Sequence, residues 1–232
     1  MKSLHSTPSL SLRLLFALCL AAGLAGSVAA ADKRLEEAMS QGGLSKVSVK
    51  GIDLAYARPG ATLAAYKKVK LDPVEVTFDK SWDPKRTGSN IKLSADEKEN
   101  IRQGVAKVVY DEFVRELQSK NAYPVVTESG PDVLGVKVHI ANLYVNAPDT
   151  MSAGRSRTYT TSAGQMTMVS ELSDSQSGQV LARLVDTREA GNTNMMQLSN
   201  SVLNAGEARD VASAWARILH NGLDKAQGIG KK

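Results

Sequence analysis

The stretch SADEKENIRQGVAKVVYDEFVRELQSK, Ser94 to Lys120, decides the fold. Glu97 follows Ser94 by three residues, the spacing of a capping box, in which each side chain satisfies a backbone N–H at the start of a helix. Asp96, Glu97 and Glu99 put negative charge where the helix dipole is positive. Ile101, Val105, Val108, Val109, Phe113 and Leu117 then recur at helical spacing, with charges opposite. A helix with one apolar stripe must lay it on another element.

The flanks say what that element is. Upstream, VEVTF (Val74 to Phe78) alternates as a half-buried strand, and SWDPKRTGSN (Ser81 to Asn90) reads as a loop. Downstream, AYPVVTE (Ala122 to Glu128) and VLGVKVHIANLYV (Val133 to Val145) read as strands, separated by the turn Ser129-Gly130-Pro131-Asp132. Strand, helix and strand in this order predict a right-handed crossover between parallel strands. QMTMVSEL and QVLARLVDTR add two strands across the hairpin loop SDSQSG. Asn204 of NAGE caps a second helix, whose stripe is Val211, Ala214, Trp215, Ile218 and Leu219. The expected architecture is a single α+β domain over 52–227, with a mixed sheet of about five strands. Two amphipathic helices pack on it in the order β-α-β-β-β-β-α, and 228–232 fray.

In this frame YARPGATLAAYKKVKLDPVEVTF, Tyr56 to Phe78, is an approach to the first core strand. Pro73 stands where a missing N–H is tolerated, and Tyr56 and Tyr66 are expected to pack rather than bind a ligand.

The first thirty residues stand outside the fold. Lys2 and Arg13 precede the apolar run LLFALCLAAGLAG, Leu14 to Gly26, and SVAAAD follows: the layout of a secretory signal peptide over 1–30, cleaved after Ala30 or Ala31. The run is shorter than the roughly 20 residues of a membrane span. Residues 31–51 are expected to form a flexible leader with a short helix at Asp32 to Met39. Cys19, the one cysteine, follows Leu18 inside the apolar run, where lipidation would want a small residue before it, so it reads as an ordinary member of that run. The chain is then an exported, periplasmic protein, at most peripheral to the outer membrane, with no disulfide framework.

Loss of Lys2 and Arg13 lowers the net charge from +5 to +3. No basic stripe interleaved with aromatics is present, which argues against nucleic acid as a partner. His139 and His220 lack the spacing of metal ligands, and no metal or other cofactor is expected. No G-x-S-x-G elbow occurs. Glu171, Asp174, Asp186 and Glu189 gather near one hairpin, so the enzymatic alternative is a hydrolase of envelope glycan or peptide. Polar capping of the hairpin explains them more simply. Met166 and Met168 read as core filling rather than copper ligands. The loop Asp149 to Thr161 carries Arg155, Arg157 and Tyr159, residue types favoured in contacts with partners. Helped by Gly191 to Gln197, it is the expected partner-binding surface, for an envelope protein or an anionic envelope polymer. With no reactive constellation, the expected function is a non-enzymatic binding or accessory module, with a small-ligand carrier as a further alternative.

Four segments carry a family resemblance: RPGATLAAYKKVKLDPVEV, LSADEKENI, the strand ending LYV, and ELSDSQSGQVLARLVDTREA. Together they resemble the bacterial cell-envelope family called domain of unknown function 3313, from about Ile52 to Leu223. The resemblance implies an envelope location and brings no catalytic residue. Many members look like lipoproteins with a cysteine at the cleavage point, a pattern this chain departs from. The segment SGQVLARLVD is also similar to periplasmic accessory domains that bind other envelope proteins, an analogy of fold only.

Intact-mass measurement of the exported protein is expected to give a mature chain beginning at Ala31 or Asp32, without acyl mass. A chain beginning at an acylated Cys19 would overturn the reading of the leader.

Overall fold

The structure, a computed structural model, describes residues 28–85, 90–119, 122–146, 158–160, 164–190, 197–199 and 201–229. The helix read from Ser94 is α2, Ala95–Leu117. Ser94 Oγ accepts from Glu97 N at 3.2 Å and Ser94 N donates to Glu97 Oε2 at 2.8 Å, the reciprocal capping box. Before it come α1 (Val28–Ser40), β1 (Ser45–Val47), β2 (Leu54–Ala57), β3 (Lys68–Leu71) and β4 (Glu75–Phe78). After it come β5 (Val133–Val145), β6 (Thr158–Thr160), β7 (Gly164–Asp174), β8 (Val180–Ala190), β9 (Gln197–Ser199) and α3 (Ser201–Gln227).

The fold is the expected mixed α+β domain, with more elements. The main sheet has seven strands rather than about five, in the order β1-β2-β8-β7-β5-β3, with β4 also paired to β5. Among the described residues there are three helices rather than two. β6 and β9 pair with each other in a separate two-stranded sheet. β4 and β5 flank α2 and run parallel, as the crossover requires, while β7 and β8 join antiparallel. The approach segment does more than lead in. β2 and β3 are strands themselves, and β3 and β4 lie end to end along β5, broken at Asp72-Pro73-Val74. The strand expected at Ala122 to Glu128 is reduced to one bridge, Val125 beside Val69. Pro124 interrupts the pattern, since it has no N–H to give to a ladder.

Side-chain alternation divides the sheet into two faces. Leu134, Val136, Val138, Ile140, Met166, Met168 and Leu172 point to the core shared with α2 and α3. Ala141, Val169 and Val185 point the other way, to a smaller core with Ala38 and Met39 of α1. The two long helices are joined across their contact by Glu112, buried between Arg115 and Arg209.

The leader over 31–51 is a correction. Ala38, Met39 and Leu44 are buried in the second core. Arg183, itself 2% exposed, donates from Nε to Glu171 at 3.0 Å and from Nη1 to the carbonyls of Ala38, Met39 and Gln41. The last carbonyls of a helix have no intrahelical donor, so a buried guanidinium and the end of α1 satisfy each other. The predicted helix at Asp32 to Met39 lies within α1.

Arg183→Met is therefore expected to cost about 3–5 kcal/mol in urea unfolding, because it strands a buried Glu171. The double variant Arg183→Met/Glu171→Leu should be more stable than that single one. A double variant as unstable as the single would show that the stranded Glu171 is not the source of the loss, which would then lie in the missing bonds to the carbonyls at the end of α1.

Candidate functional site

Small residues on one sheet face open a space that the helices do not fill. On the side facing α3, the floor is Ala55 and Ala57 of β2, Ala182 and Leu184 of β8, and Ser170 and Leu172 of β7. The register aligns them as Ala55–Leu184–Ser170 and Ala57–Ala182–Leu172. The roof is Trp215, Ile218, Leu219 and Gly222, one helical stripe of α3, joined by Phe113 of α2. A Cβ placed on Gly222 would meet nothing within 4 Å. Between floor and roof lies a cleft of about 220 Å³. Its inner end is buried at Ser170, Phe113 and Trp215, and it opens at the β1–β2 edge past exposed Val47 and Ala61.

The polar groups around this cleft are few. Ser170 is 4% exposed. Arg58 lines the rim, yet its Nε donates to the Val180 carbonyl at 2.8 Å and its terminal nitrogens lie toward Gly42 and Gly43, after α1. Its charge is turned away from the cleft. Trp215 is fixed by Asp186, whose Oδ2 accepts from the indole Nε1 at 2.7 Å and from Arg188 Nε at 2.7 Å.

The four hairpin carboxylates do not come together at the cleft. Glu171 faces α1 through Arg183, and Asp186 faces α3 through Trp215, on opposite sides of the sheet. Asp174 sits in the β7–β8 turn, where the backbone N–H of Ser177 holds its carboxyl below the usual range. It also accepts from Tyr66, whose hydroxyl is pushed up to about 12 by burial and by that bond. Glu189 is exposed on β8. Tyr56 and Tyr66 are buried, as are Met166 and Met168 in the main core. Among the described residues no group of three or more metal-ligating side chains occurs. No described helix is long and apolar enough to cross a membrane.

The two described histidines, His139 and His220, are structural in their contacts. His220 Nδ1 lies 2.8 Å from the Glu116 carbonyl, and its ring packs edge-on against Tyr123. His139 is buried on the α1 side of the sheet, with Nε2 2.9 Å from Thr77 Oγ1. Burial lowers its pKa to about 4, and Glu75, mostly exposed with its carboxylate 3.6 Å away, does not offset this.

Of the expected partner surface, Arg155 and Arg157 lie outside the described residues, as do Cys19, Met195 and Met196. Tyr159 lies in β6, with its backbone opposite Leu198 of β9. The cleft itself was not singled out from sequence. Its roof was, as the stripe of the second helix. Its floor owes its depth to three alanines and a serine among leucines, which an apolar–polar pattern does not separate by size.

The chain belongs to the family described as "Protein of unknown function (DUF3313)", whose model matches residues 38–219. The match begins inside α1, so the end of that helix is part of the family's domain. No curated protein matches. Among solved structures, the chain is similar to protein XCC0632 from Xanthomonas campestris, of family-model DUF330. That likeness has 11% identity and a TM-score of 0.39, covering 72% of this chain and 91% of that one. It is also similar to the PelC dodecamer from Paraburkholderia phytofirmans, at 12% identity and a TM-score of 0.29, covering 73% and 96%. Likenesses this low carry nothing of those proteins over to this chain.

His139 gives the stability a pH dependence. A neutral histidine in the fold binds fewer protons than the unfolded chain, so stability falls as pH drops from 6.5 toward about 4. His139→Gln should remove a component on the order of 3 kcal/mol from that loss, read as a smaller shift of the urea midpoint between pH 7 and pH 4. Equal shifts in the two proteins would mean that His139 is not what titrates.

Proposed function

We propose that this protein is a non-enzymatic binding module of the bacterial cell envelope, and that the cleft beneath α3 is where it binds. The observation that carries this reading is the cleft itself, an apolar space of about 220 Å³ between a packed helix and the sheet. Binding sites for small molecules are concave and mostly apolar, with few polar groups. The space exceeds the roughly 150 Å³ of an apolar cavity that takes up benzene and falls short of the roughly 300 Å³ at which drug-sized pockets begin. It suits one ring or one short chain, a free small molecule rather than a whole lipid.

The envelope part of the reading rests on the exported leader and the family resemblance. The hydrolase alternative loses its motive, because Glu171 and Asp186 face opposite sides of the sheet, held by Arg183 and Trp215, and Asp174 is held in the β7–β8 turn. Arg155, Arg157 and Tyr159 are retained as a second proposed place of contact, for an envelope protein or an anionic envelope polymer.

Titration of the wild-type protein with iodobenzene, a single-ring quencher, should reduce Trp215 fluorescence saturably, since the indole forms part of the roof. Ala182→Phe, which fills the floor, should abolish that response, and so should Ala57→Leu, a smaller filling near the mouth. Unchanged binding in both folded variants would place the probe elsewhere and refute the cleft as the site.

A further inference from the structure

Ser170 stands out on the floor of the cleft. It lies on β7 between Met168 and Leu172 on the same face, opposite Leu184 on one side and Val138 on the other. Every one of these neighbours is apolar. Among the described residues its hydroxyl has no hydrogen-bond partner, although the residue is 4% exposed. The oxygen is not sealed in the core but borders the cleft, where an alanine would complete this floor as Ala55, Ala57 and Ala182 do beside it. Water is a poor partner at this point. A buried water needs two to four polar contacts, and the inner walls offer this hydroxyl alone among their side chains.

Charge narrows the ligand further. The one charged residue in the lining, Arg58, directs its guanidinium toward Val180 and the Gly42-Gly43 turn, on the α1 side. An ion in the cleft would be desolvated with no countercharge, which is strongly unfavourable. The inner end therefore suits a neutral group that accepts one hydrogen bond.

We infer that the cleft takes a free, uncharged, mainly apolar molecule of one ring or one short chain bearing a carbonyl oxygen, and that the Ser170 hydroxyl donates to that oxygen at the floor. This rests on the cleft being the binding site. It makes Ser170 a specificity residue, since a site built to hydrogen-bond one group rejects the analogue that lacks it. Size is set by the small floor residues and by the α3 stripe, and polarity by Ser170.

The test uses two molecules of nearly the same shape, acetophenone and ethylbenzene, titrated into the full-length protein and into Ser170→Ala. Acetophenone affinity should fall roughly two- to tenfold in the variant, the effect of one net hydrogen bond, while ethylbenzene affinity should hold or rise. Benzoate should not bind at the cleft. A second measurement needs no variant. The infrared carbonyl stretch of acetophenone bound to the wild-type protein should lie below its value in hydrocarbon solvent, as a hydrogen-bonded carbonyl does. If ethylbenzene binds and acetophenone is insensitive to Ser170→Ala with an unshifted stretch, the ligand class proposed here is wrong and the cleft survives as an apolar site. If neither molecule binds the wild-type protein, the cleft falls as a binding site and the ligand class with it.

Discussion

The carboxylate of Asp186 holds the cleft in shape. It is 4% exposed and accepts three hydrogen bonds: from the Trp215 indole at 2.7 Å, from Arg188 Nε at 2.7 Å, and from the backbone N–H of Asp53 at 3.0 Å. Those donors belong to α3, to β8 and to the segment leading into β2. Asp53 returns the contact by accepting from Thr187 N at 2.9 Å, and Arg188 reaches the Gly51 carbonyl at 2.9 Å while its guanidinium lies over the Trp215 ring. Roof, floor and side wall are thus tied at one buried charge. A charge-assisted network of this kind is strong when every member is paired. Trp215 is consequently fixed in orientation, and the rest of the α3 stripe cannot settle onto the small residues below it.

A second constraint is the alternation along β5 and β7. Because successive side chains face opposite ways, each of these strands, enclosed in the sheet, serves two cores. The core with α2 and α3 takes the larger apolar residues, and the core with α1 takes Val169 and Ala141. Arg183 and Glu171 meet on the α1 side, one register step from Lys137. The ion pair that fastens the N-terminal helix and the carboxylate that fastens the C-terminal helix therefore work through opposite faces of the same hairpin. This is why four acidic residues close in sequence make no joint site.

What could be read in advance follows the range of the interactions. The capping box at Ser94, the stripes of α2 and α3 and the long strands β5, β7 and β8 are local patterns, and the structure bears them out. The docking of α1 was not legible, because its anchor Arg183 lies more than a hundred residues away and an arginine in a strand reads as solvent-facing. The short strands β1 and β3 have too few residues to show a period. For the site, the periodicity of the second helix supplied Trp215, Ile218 and Leu219 as a stripe, but nothing in it tells a packed face from a roof over open space. That distinction depends on side-chain volume across three strands distant in sequence: Ala55 and Ala57 on β2, Ser170 on β7 and Ala182 on β8. Hydrophobic patterning counts such residues as core and does not register that they are small.

The cleft is costly to keep, and this bears on why it exists. An unfilled apolar cavity lowers stability by roughly 24 cal/mol per Å³, which for about 220 Å³ sets an upper limit of about 5 kcal/mol. The opening at the β1–β2 edge admits solvent and reduces that figure. A single larger residue at Ala57 or Ala182 would recover part of it without disturbing the hydrogen-bond ladders, and stabilising substitutions of this cavity-filling kind are generally easy to reach. The chain instead places alanines opposite a glycine, props the helix above them on Asp186, and sets a hydroxyl among the apolar walls. The alanines, the glycine and the hydroxyl each leave stability unclaimed at the same spot. Sites that give up stability locally are where sequence and fold disagree for the sake of function, and here the three departures converge on one space.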